Sequence, residues 1–237
     1  FDFGDKKVSY YENGFNNMIN FEFKWDALKD YEFIFSKYSN ILNGELKGFS
    51  VMNYLSSHDD GGPFDAARTK NKETATKLLL SPGVAQVFYG DESGRSLIVE
   101  GTEGDATLRS FMNWEDIQSN PATQKALLHW QKLGQFRKNH PSIGAGVHQE
   151  ITTQPYTFSR MFAKSDYIDQ VVVGLDLPMG KKQLSVGTFF PDGTKLTDAY
   201  SGKETIVSNG KVSIDTNFDI VLLEKKITVF IIKKIKP

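Results

Sequence analysis

From the start of the chain to His140-Pro141, segments with a strand-like pattern of apolar and polar residues alternate with segments that have a helix-like pattern. Three short apolar runs between turn residues are typical of strands and lie at 18–23, 49–55 and 84–89. Longer segments with apolar residues at helical spacing lie at roughly 24–42, 64–80 and 122–138. Strands and helices therefore alternate, which predicts a parallel α/β arrangement.

After His140-Pro141 the pattern changes to short alternating or β-branched runs separated by turn residues. These runs predict strands at 156–162, 170–175, 183–189, 203–207, 211–214 and 220–223. Asp192-Gly193 and Asn209-Gly210 are dipeptides typical of hairpin turns. A last apolar run at 227–232 is flanked by lysines and predicts a further strand with charged gatekeepers.

The two patterns divide the chain into an α/β domain at 1–147 and an all-β domain, predicted to be an antiparallel sandwich, at 148–237. The formal net charge of −1 argues against a nucleic-acid partner, which requires a basic face. No apolar run reaches the length of about 18 residues that a transmembrane segment needs. Cysteine is absent, and no spacing of His, Asp and Glu indicates zinc, so we predict neither disulfides nor a metal site in this chain. The chain starts at Phe1 rather than Met, and we expect this start to be processed or artificial.

Candidate chemistry lies at the ends of the second and third predicted strands. Ser57-His58-Asp59 follows the second strand, and the carboxyl end of a barrel strand is where barrel enzymes place catalytic residues. The segment 82–92 contains the third strand and ends in Tyr-Gly-Asp-Glu, and Arg109-Ser110-Phe111-Met112-Asn113-Trp114 follows in the next loop. These motifs, in this order and followed by a β-rich region, resemble the α-amylase superfamily (glycoside hydrolase family 13).

The resemblance implies both a fold and an activity. The chain is expected to hold the last three strand–helix units of a TIM (β/α)8 barrel plus a C-terminal antiparallel β-sandwich. The whole enzyme is expected to hydrolyse α-glucosidic bonds of starch-like glucans with retention, most like bacterial glucan-utilisation α-amylases. An extracellular, periplasmic or cell-surface location is favoured by the same resemblance. Two departures from the family signatures are the order of Pro82 and Gly83 and the replacement of a proline by Phe111.

Asp59 and His58 are the candidate site residues. By the resemblance Asp59 is the third catalytic carboxylate, which hydrogen-bonds ring hydroxyls and stabilises the positively charged transition state, and His58 binds the sugar in the same subsite. Retaining glycosidases also need a nucleophile and an acid/base about 5 Å apart. Asp59 and Asp60 are not that pair, because neighbouring residues of an extended segment point to opposite faces.

The family's nucleophile and acid/base follow its fourth and fifth strands, so the matching positions are expected upstream of Phe1. The chain alone is therefore expected to be inactive. Residues 1–147 are expected to need the missing N-terminal half of the barrel as a partner, because three barrel strands leave two unpaired edges. The other expected partner is the α-glucan substrate. Calcium is common in the family, but its ligands are expected mostly in the missing part, and no cofactor is expected in this chain.

The remaining polar residues are given structural roles. Asp60 is interpreted as a turn residue, Asp91 and Glu92 as loop anchors, Arg109 and Trp114 as loop-to-barrel contacts, His129 as a surface or partly packed residue and His140 as a loop residue. Two alternatives for the function stay open. One is a non-catalytic, barrel-type binding or interaction subunit, and the other is a transglycosylase or α-glucosidase of the same superfamily.

Overall fold

The computed structural model describes residues 2, 3 and 6–225, which fall into two compact units. The first unit comprises Phe1–Gln149 and Arg160–Asp169, and the second comprises Glu150–Ser159 and Gln170–Pro237. None of the helices in the described part of the chain combines the length and the hydropathy of a membrane span. The strand predicted at 227–232 lies outside the described residues.

The first part of the chain contains the short strands and all of the described helices. Its strands are β1 (Asp2–Phe3), β2 (Lys6–Lys7), β3 (Asn17–Asn20), β4 (Ser50–Asn53) and β5 (Val84–Ala85). Its helices are α1 (Phe23–Asp26), α2 (Tyr31–Asn43), α3 (Asn71–Leu80), α4 (Trp114–Ser119), α5 (Pro121–Asn139) and α6 (Pro141–Ala145). The α4 helix begins at Trp114, the last residue of the motif that the sequence analysis places in a loop.

Strands β3, β4 and β5 form a parallel sheet with β4 in the middle. In its register Met18 lies beside Val51, and Met52 lies beside Val84. The predicted parallel order is therefore confirmed, although each strand is shorter than the apolar run that predicted it. Because the carboxyl ends of parallel strands meet at one edge, the segments that follow the three strands converge there.

The helix predicted at 24–42 is in fact two helices, α1 and α2. The Asp30 carboxylate accepts a hydrogen bond of 2.8 Å from the backbone N–H three residues later and so caps the start of α2. The buried Lys77 of α3 donates its Nζ to the carbonyl oxygens of Ala27 at 2.6 Å and Lys29 at 2.8 Å. These carbonyls are satisfied by a side chain rather than by a continuing helix, which explains the break.

The predictions of the other two helices differ in accuracy. The helix predicted at 64–80 begins only at Asn71, because Arg68 adopts a left-handed conformation with a φ of 57° that no α-helix accommodates. The helix predicted at 122–138 is confirmed as α5. Its first turn is capped by the side chain of Asn120, whose Oδ1 accepts a backbone N–H at 2.9 Å.

The second part of the chain is built from strands. They are β6 (Val147–Thr153), β7 (Tyr156–Lys164), β8 (Tyr167–Gly174), β9 (Gly180–Ser185), β10 (Lys195–Asp198), β11 (Glu204–Ile206), β12 (Lys211–Thr216) and β13 (Val221–Glu224). Six strands form one sheet in the order β11-β10-β13-β8-β7-β6, and β12 pairs with β9. The pairings β10–β11, β10–β13, β13–β8 and β12–β9 are antiparallel.

All six strands predicted between residues 156 and 223 are present with shifted ends, whereas β6 and β10 were not predicted. In β6 three polar residues separate Val147 from the β-branched residues at its end, and β10 has a single β-branched residue, so both sequences carry a weak strand signal. Side chains from both sheets share one buried cluster that includes Val172, Leu184, Leu196, Ile214 and Val221. The apolar faces of the two sheets therefore cover each other in the second unit.

The two turn dipeptides have different outcomes. Asn209 and Gly210 have φ values of 51° and 67°, and the flanking Ser208 and Lys211 exchange backbone hydrogen bonds, so the tight turn is confirmed. Asp192-Gly193 also forms a turn, but the prediction of a hairpin there is wrong, because the flanking strands β9 and β10 belong to different sheets. The Asp192 carboxylate instead accepts hydrogen bonds of 2.8 and 2.9 Å from the backbone N–H groups of Asn209 and Gly210 in the confirmed turn.

Candidate active site

A chain of side-chain amides holds together the strand ends at which the candidate residues lie. Nδ2 of Asn20, the last residue of β3, donates to Oδ1 of Asn53 at 2.8 Å, and Nδ2 of Asn53 donates to the carbonyl oxygen of Pro82 at 2.8 Å. The backbone N–H of Gln86 also donates to the carbonyl oxygen of Asn53. Asn53 is only 1% exposed. One polar side chain thus fixes the spacing of all three strands at the edge where a ligand would approach.

Asp59 and His58 lie just beyond the carboxyl end of β4 and face solvent. Their side chains are 58% and 62% exposed. Ser57 Oγ donates to Oδ1 of Asp59 at 2.7 Å, and Nε2 of His58 lies 3.7 Å from Oδ2 of Asp59. The Arg109 guanidinium holds the backbone here, donating from Nε to the carbonyl oxygen of His58 at 3.2 Å. In the part of the chain that the structure describes, both candidate side chains are therefore accessible to a ligand.

Asp60 has a different environment from its neighbour Asp59. Its carboxylate forms an ion pair with the buried Lys24, and it accepts hydrogen bonds from the Tyr54 hydroxyl at 2.9 Å and the Gly62 N–H at 3.1 Å. Burial favours the neutral acid, but the hydrogen bonds from Lys24, Gly62 and Tyr54 outweigh it and hold the pKa of Asp60 below its usual value. Burial and the contact with Asp60 raise the pKa of Tyr54 to about 12. Asp60 is therefore charged, fully bonded and anchored to α1.

An open pocket of about 480 Å³ is lined by these residues and by an aromatic wall. Phe21, Trp25 and Tyr54 contribute that wall, and His58 and Asp59 contribute polar groups. The rings of Phe21 and Tyr54 meet edge to face with centroids 6.1 Å apart. Pockets that combine apolar walls with a few convergent polar groups are typical of small-molecule sites.

Asp91 is buried near the start of the loop that follows β5. Its carboxylate lies 2.8 Å from the Arg68 guanidinium and accepts a hydrogen bond of 2.5 Å from the Ser56 hydroxyl. Burial raises the pKa of the Asp91 carboxyl, and the opposing charge of Arg68 acts against that rise. Glu92 accepts the backbone N–H of Gly90 at 2.9 Å. Both acidic side chains thus contact local protein groups, as anchors of the loop would.

The Tyr-Gly-Asp-Glu motif is built around the buried Arg95, which our sequence reasoning missed. The guanidinium lies 3.9 Å from the ring centroid of Tyr89 and donates from Nε to the Tyr89 carbonyl oxygen at 2.9 Å. It also donates to the Ser110 hydroxyl at 2.5 Å. Gly90 has a φ of 84°, and a Cβ there would lie 2.4 Å from Nε of Arg95. The glycine is therefore required by this close approach.

The other histidines lie away from the pocket. His129, interpreted from the sequence as a surface or partly packed residue, is 4% exposed and lies 3.1 Å from the Thr76 hydroxyl, so it is fully packed. His140, between α5 and α6, contacts Asp169 at 2.8 Å. In the part of the chain that the structure describes, no group of three His, Asp or Glu side chains is arranged to hold a metal ion.

No protein-family model matches the chain. Over 160 residues, or 66% of the chain, the sequence is 39% identical to the periplasmic α-amylase of Escherichia coli (strain K12), of which the match spans 23%. In an alignment of 196 positions that covers 70% of the chain, it is 27% identical to the amylopullulanase of Thermoanaerobacter thermohydrosulfuricus, of which the match spans 12%. The chain thus spans less than a quarter of each of these curated relatives.

The fold is similar to that of a solved Anoxybacillus α-amylase. The TM-score is 0.60 at 18% sequence identity, and the match covers 92% of this chain and 49% of that enzyme. At this identity the likeness shows the fold alone. Together with the two sequence relatives, it confirms the resemblance to the C-terminal part of the α-amylase-type glycoside hydrolases that the three motifs indicate.

Proposed function

We propose that this chain forms part of a retaining glycoside hydrolase that acts on α-glucosidic bonds of starch-like glucans. The observation that carries the proposal is the exposed carboxylate of Asp59. It lies beside His58 at the carboxyl end of the middle strand of a parallel sheet, in a pocket with an aromatic wall. The similarity to a periplasmic α-amylase supports both this activity and an extracellular or periplasmic location.

In the proposed reaction Asp59 is the third carboxylate. The sugar ring gains positive charge as the glycosidic bond breaks, and a fixed carboxylate favours that charge more than it favours the neutral ground state. Ser57 holds one oxygen of Asp59 at 2.7 Å, which leaves the second oxygen for ring hydroxyls. His58 is the neighbouring group that binds sugar hydroxyls. Asp60 takes no part in the chemistry, because its carboxylate is already occupied by Lys24, Tyr54 and Gly62.

A retaining mechanism also needs a nucleophile and a proton donor about 5 Å apart. Among the residues that line the pocket, the only carboxylates are Asp59 and the anchored Asp60. We therefore assign the nucleophile and the acid/base to residues outside this chain, and we expect the isolated chain to be inactive. In this proposal β3, β4 and β5 are the last strands of a (β/α)8 barrel, and the second unit is a β-sandwich.

The proposal is tested by replacing Asp59 in the full-length protein that carries this chain. Asp59→Asn keeps the shape of the side chain but removes its charge, and losing one such group costs about 3 kcal/mol of transition-state stabilisation, or roughly 150-fold in turnover. The matched control is Asp166→Asn, because the Asp166 side chain is exposed and lies outside the pocket. Hydrolysis of soluble starch is followed as released reducing sugar.

We expect the Asp59 variant to lose turnover with little change in KM, and the Asp166 variant to match the wild type. Near-normal turnover with a raised KM would instead assign Asp59 to ground-state binding. A wild-type protein that binds glucans without hydrolysing them would favour the non-catalytic binding subunit.

A further inference from the structure

The pocket beside Asp59 contains an exposed aromatic side chain that the proposed chemistry does not use. Trp25, in the short helix α1, lines the pocket, and its side chain is 59% exposed. An indole is a large, rigid apolar surface, and one that lines a pocket is placed to contact a ligand there.

The position of Trp25 relative to Asp59 is fixed by specific contacts. Nζ of Lys24 lies 4.8 Å from the indole centroid and also donates to the carboxylate of Asp60 at 2.5 Å. Gly62 completes the contact, because a Cβ there would lie 3.3 Å from Nζ of Lys24 and 3.8 Å from the Trp25 ring. The segment that follows Asp59 is thus clamped against α1 by a buried ion pair. A ligand that reaches Asp59 meets the indole at a fixed place.

We infer that Trp25 is a sugar-stacking residue that sets the preference of this pocket for a pyranose ring. A pyranose has apolar C–H faces and a polar hydroxyl edge, which matches a pocket with indole on one part and His58 and Asp59 on the other. Lys24 and Asp60 act as positioning residues for the ring. The inference rests on the proposed function, because the expected occupant, a glucose unit of an α-glucan, is taken from it.

The first test measures binding of maltotriose by titration calorimetry. The full-length protein carries Asp59→Asn throughout, so that turnover does not consume the ligand. Trp25→Ala is expected to raise the Kd about tenfold, as the loss of one aromatic contact of 1 to 1.5 kcal/mol would, and Trp25→Phe is expected to keep most of the affinity. The matched control is Trp114→Ala, because Trp114 is 64% exposed but does not line the pocket, and its Kd should stay within about twofold.

The second test needs no substitution at Trp25, so it remains informative if a Trp25 variant fails to fold. N-bromosuccinimide oxidises exposed indoles, and peptide mass spectrometry reports which tryptophans have reacted. Maltotriose is expected to slow oxidation of Trp25 at least about fivefold while leaving Trp114 unchanged, and Trp130, at 4% exposure, is expected to react slowly in both cases. Equal oxidation of Trp25 with and without maltotriose would overturn the inference.

The outcomes separate this inference from the proposed function. If the wild type hydrolyses starch but Trp25→Ala binds maltotriose normally and Trp25 is not protected, the proposed function stands and the stacking role is wrong. If maltotriose protects Trp25 and no hydrolysis occurs, the stacking role stands and the proposed reaction is wrong. If the protein neither binds maltotriose nor hydrolyses starch, both are overturned.

Discussion

The buried His148 makes the stability of the first unit dependent on pH. Its side chain is 2% exposed, and its Nε2 lies 2.9 Å from the Glu32 carboxylate. Nδ1 accepts a hydrogen bond of 2.9 Å from Nε of Arg160, so this nitrogen must be unprotonated. Burial and the charge of Arg160 together lower the pKa of His148 to about 2. The folded protein therefore keeps this histidine neutral, although Glu32 lies beside it.

The sign and size of the effect follow from proton linkage. The usual pKa of histidine is about 6.5, so below that pH the unfolded chain binds a proton at His148 that the folded chain does not bind. The contribution to stability is complete above pH 6.5 and falls as the pH is lowered. At pH 5 the loss is about 1.5 pH units times 1.36 kcal/mol, or about 2 kcal/mol.

The assay compares urea unfolding of the wild type and His148→Gln at pH 7.5 and pH 5.0, followed by tryptophan fluorescence. Glutamine does not titrate, so the stability advantage of the wild type should shrink by about 2 kcal/mol between the two pH values. His58→Gln is the control for exchanging a histidine for glutamine, because the His58 side chain is 62% exposed rather than buried. A difference between wild type and His148→Gln that stays constant with pH would refute the reasoning.

Two further predictions concern turns. Gly90→Ala places a Cβ against Nε of Arg95 at a φ of 84°, and we expect a loss of roughly 2 kcal/mol or more in thermal unfolding. Gly61→Ala, where nothing lies within 4 Å and the φ is not positive, is the control, and equal melting temperatures for the two variants would contradict the argument. Asp192→Ala removes both acceptors for the N–H groups of the turn at 209–210, and we expect a loss of about 1 kcal/mol in urea unfolding. An unchanged urea midpoint would show that water replaces the carboxylate at no cost.

The sequence could predict the elements and their order better than their ends. Hydrophobic periodicity gave the three parallel strands and α5, but it joined α1 and α2 into one helix. The break depends on the Asp30 cap and on Lys77, which is distant in sequence. The Lys77 ammonium donates hydrogen bonds to two carbonyl oxygens in the segment between α1 and α2. Periodicity measures which face is apolar, and it contains no information about long-range polar partners.

The same reasoning applies to the candidate site. His58 and Asp59 could be singled out because a motif carries them, and their assigned roles stay predictions until they are tested. Asn53 and Arg95 could not be singled out, because an Asn in an apolar run and an Arg in a loop have no motif of their own. Both are buried and bond to backbone carbonyls that only the folded chain brings together. Trp25 lies in the segment 24–42, where periodicity indicates only that a residue belongs to an apolar helix face and not that it lines a pocket.

The contact of Lys77 with the carbonyls beyond α1 has a consequence for local unfolding. A helix of four residues such as α1 has no stability of its own in water, because helix nucleation costs more than its few hydrogen bonds return. Its persistence therefore depends on α3, which supplies Lys77. Amide hydrogen exchange in α1 should follow openings of α3 rather than independent fraying. The side of the pocket that carries Trp25 would then fold and unfold together with α3, which lies more than 40 residues further along the chain. The two would behave as a single cooperative unit.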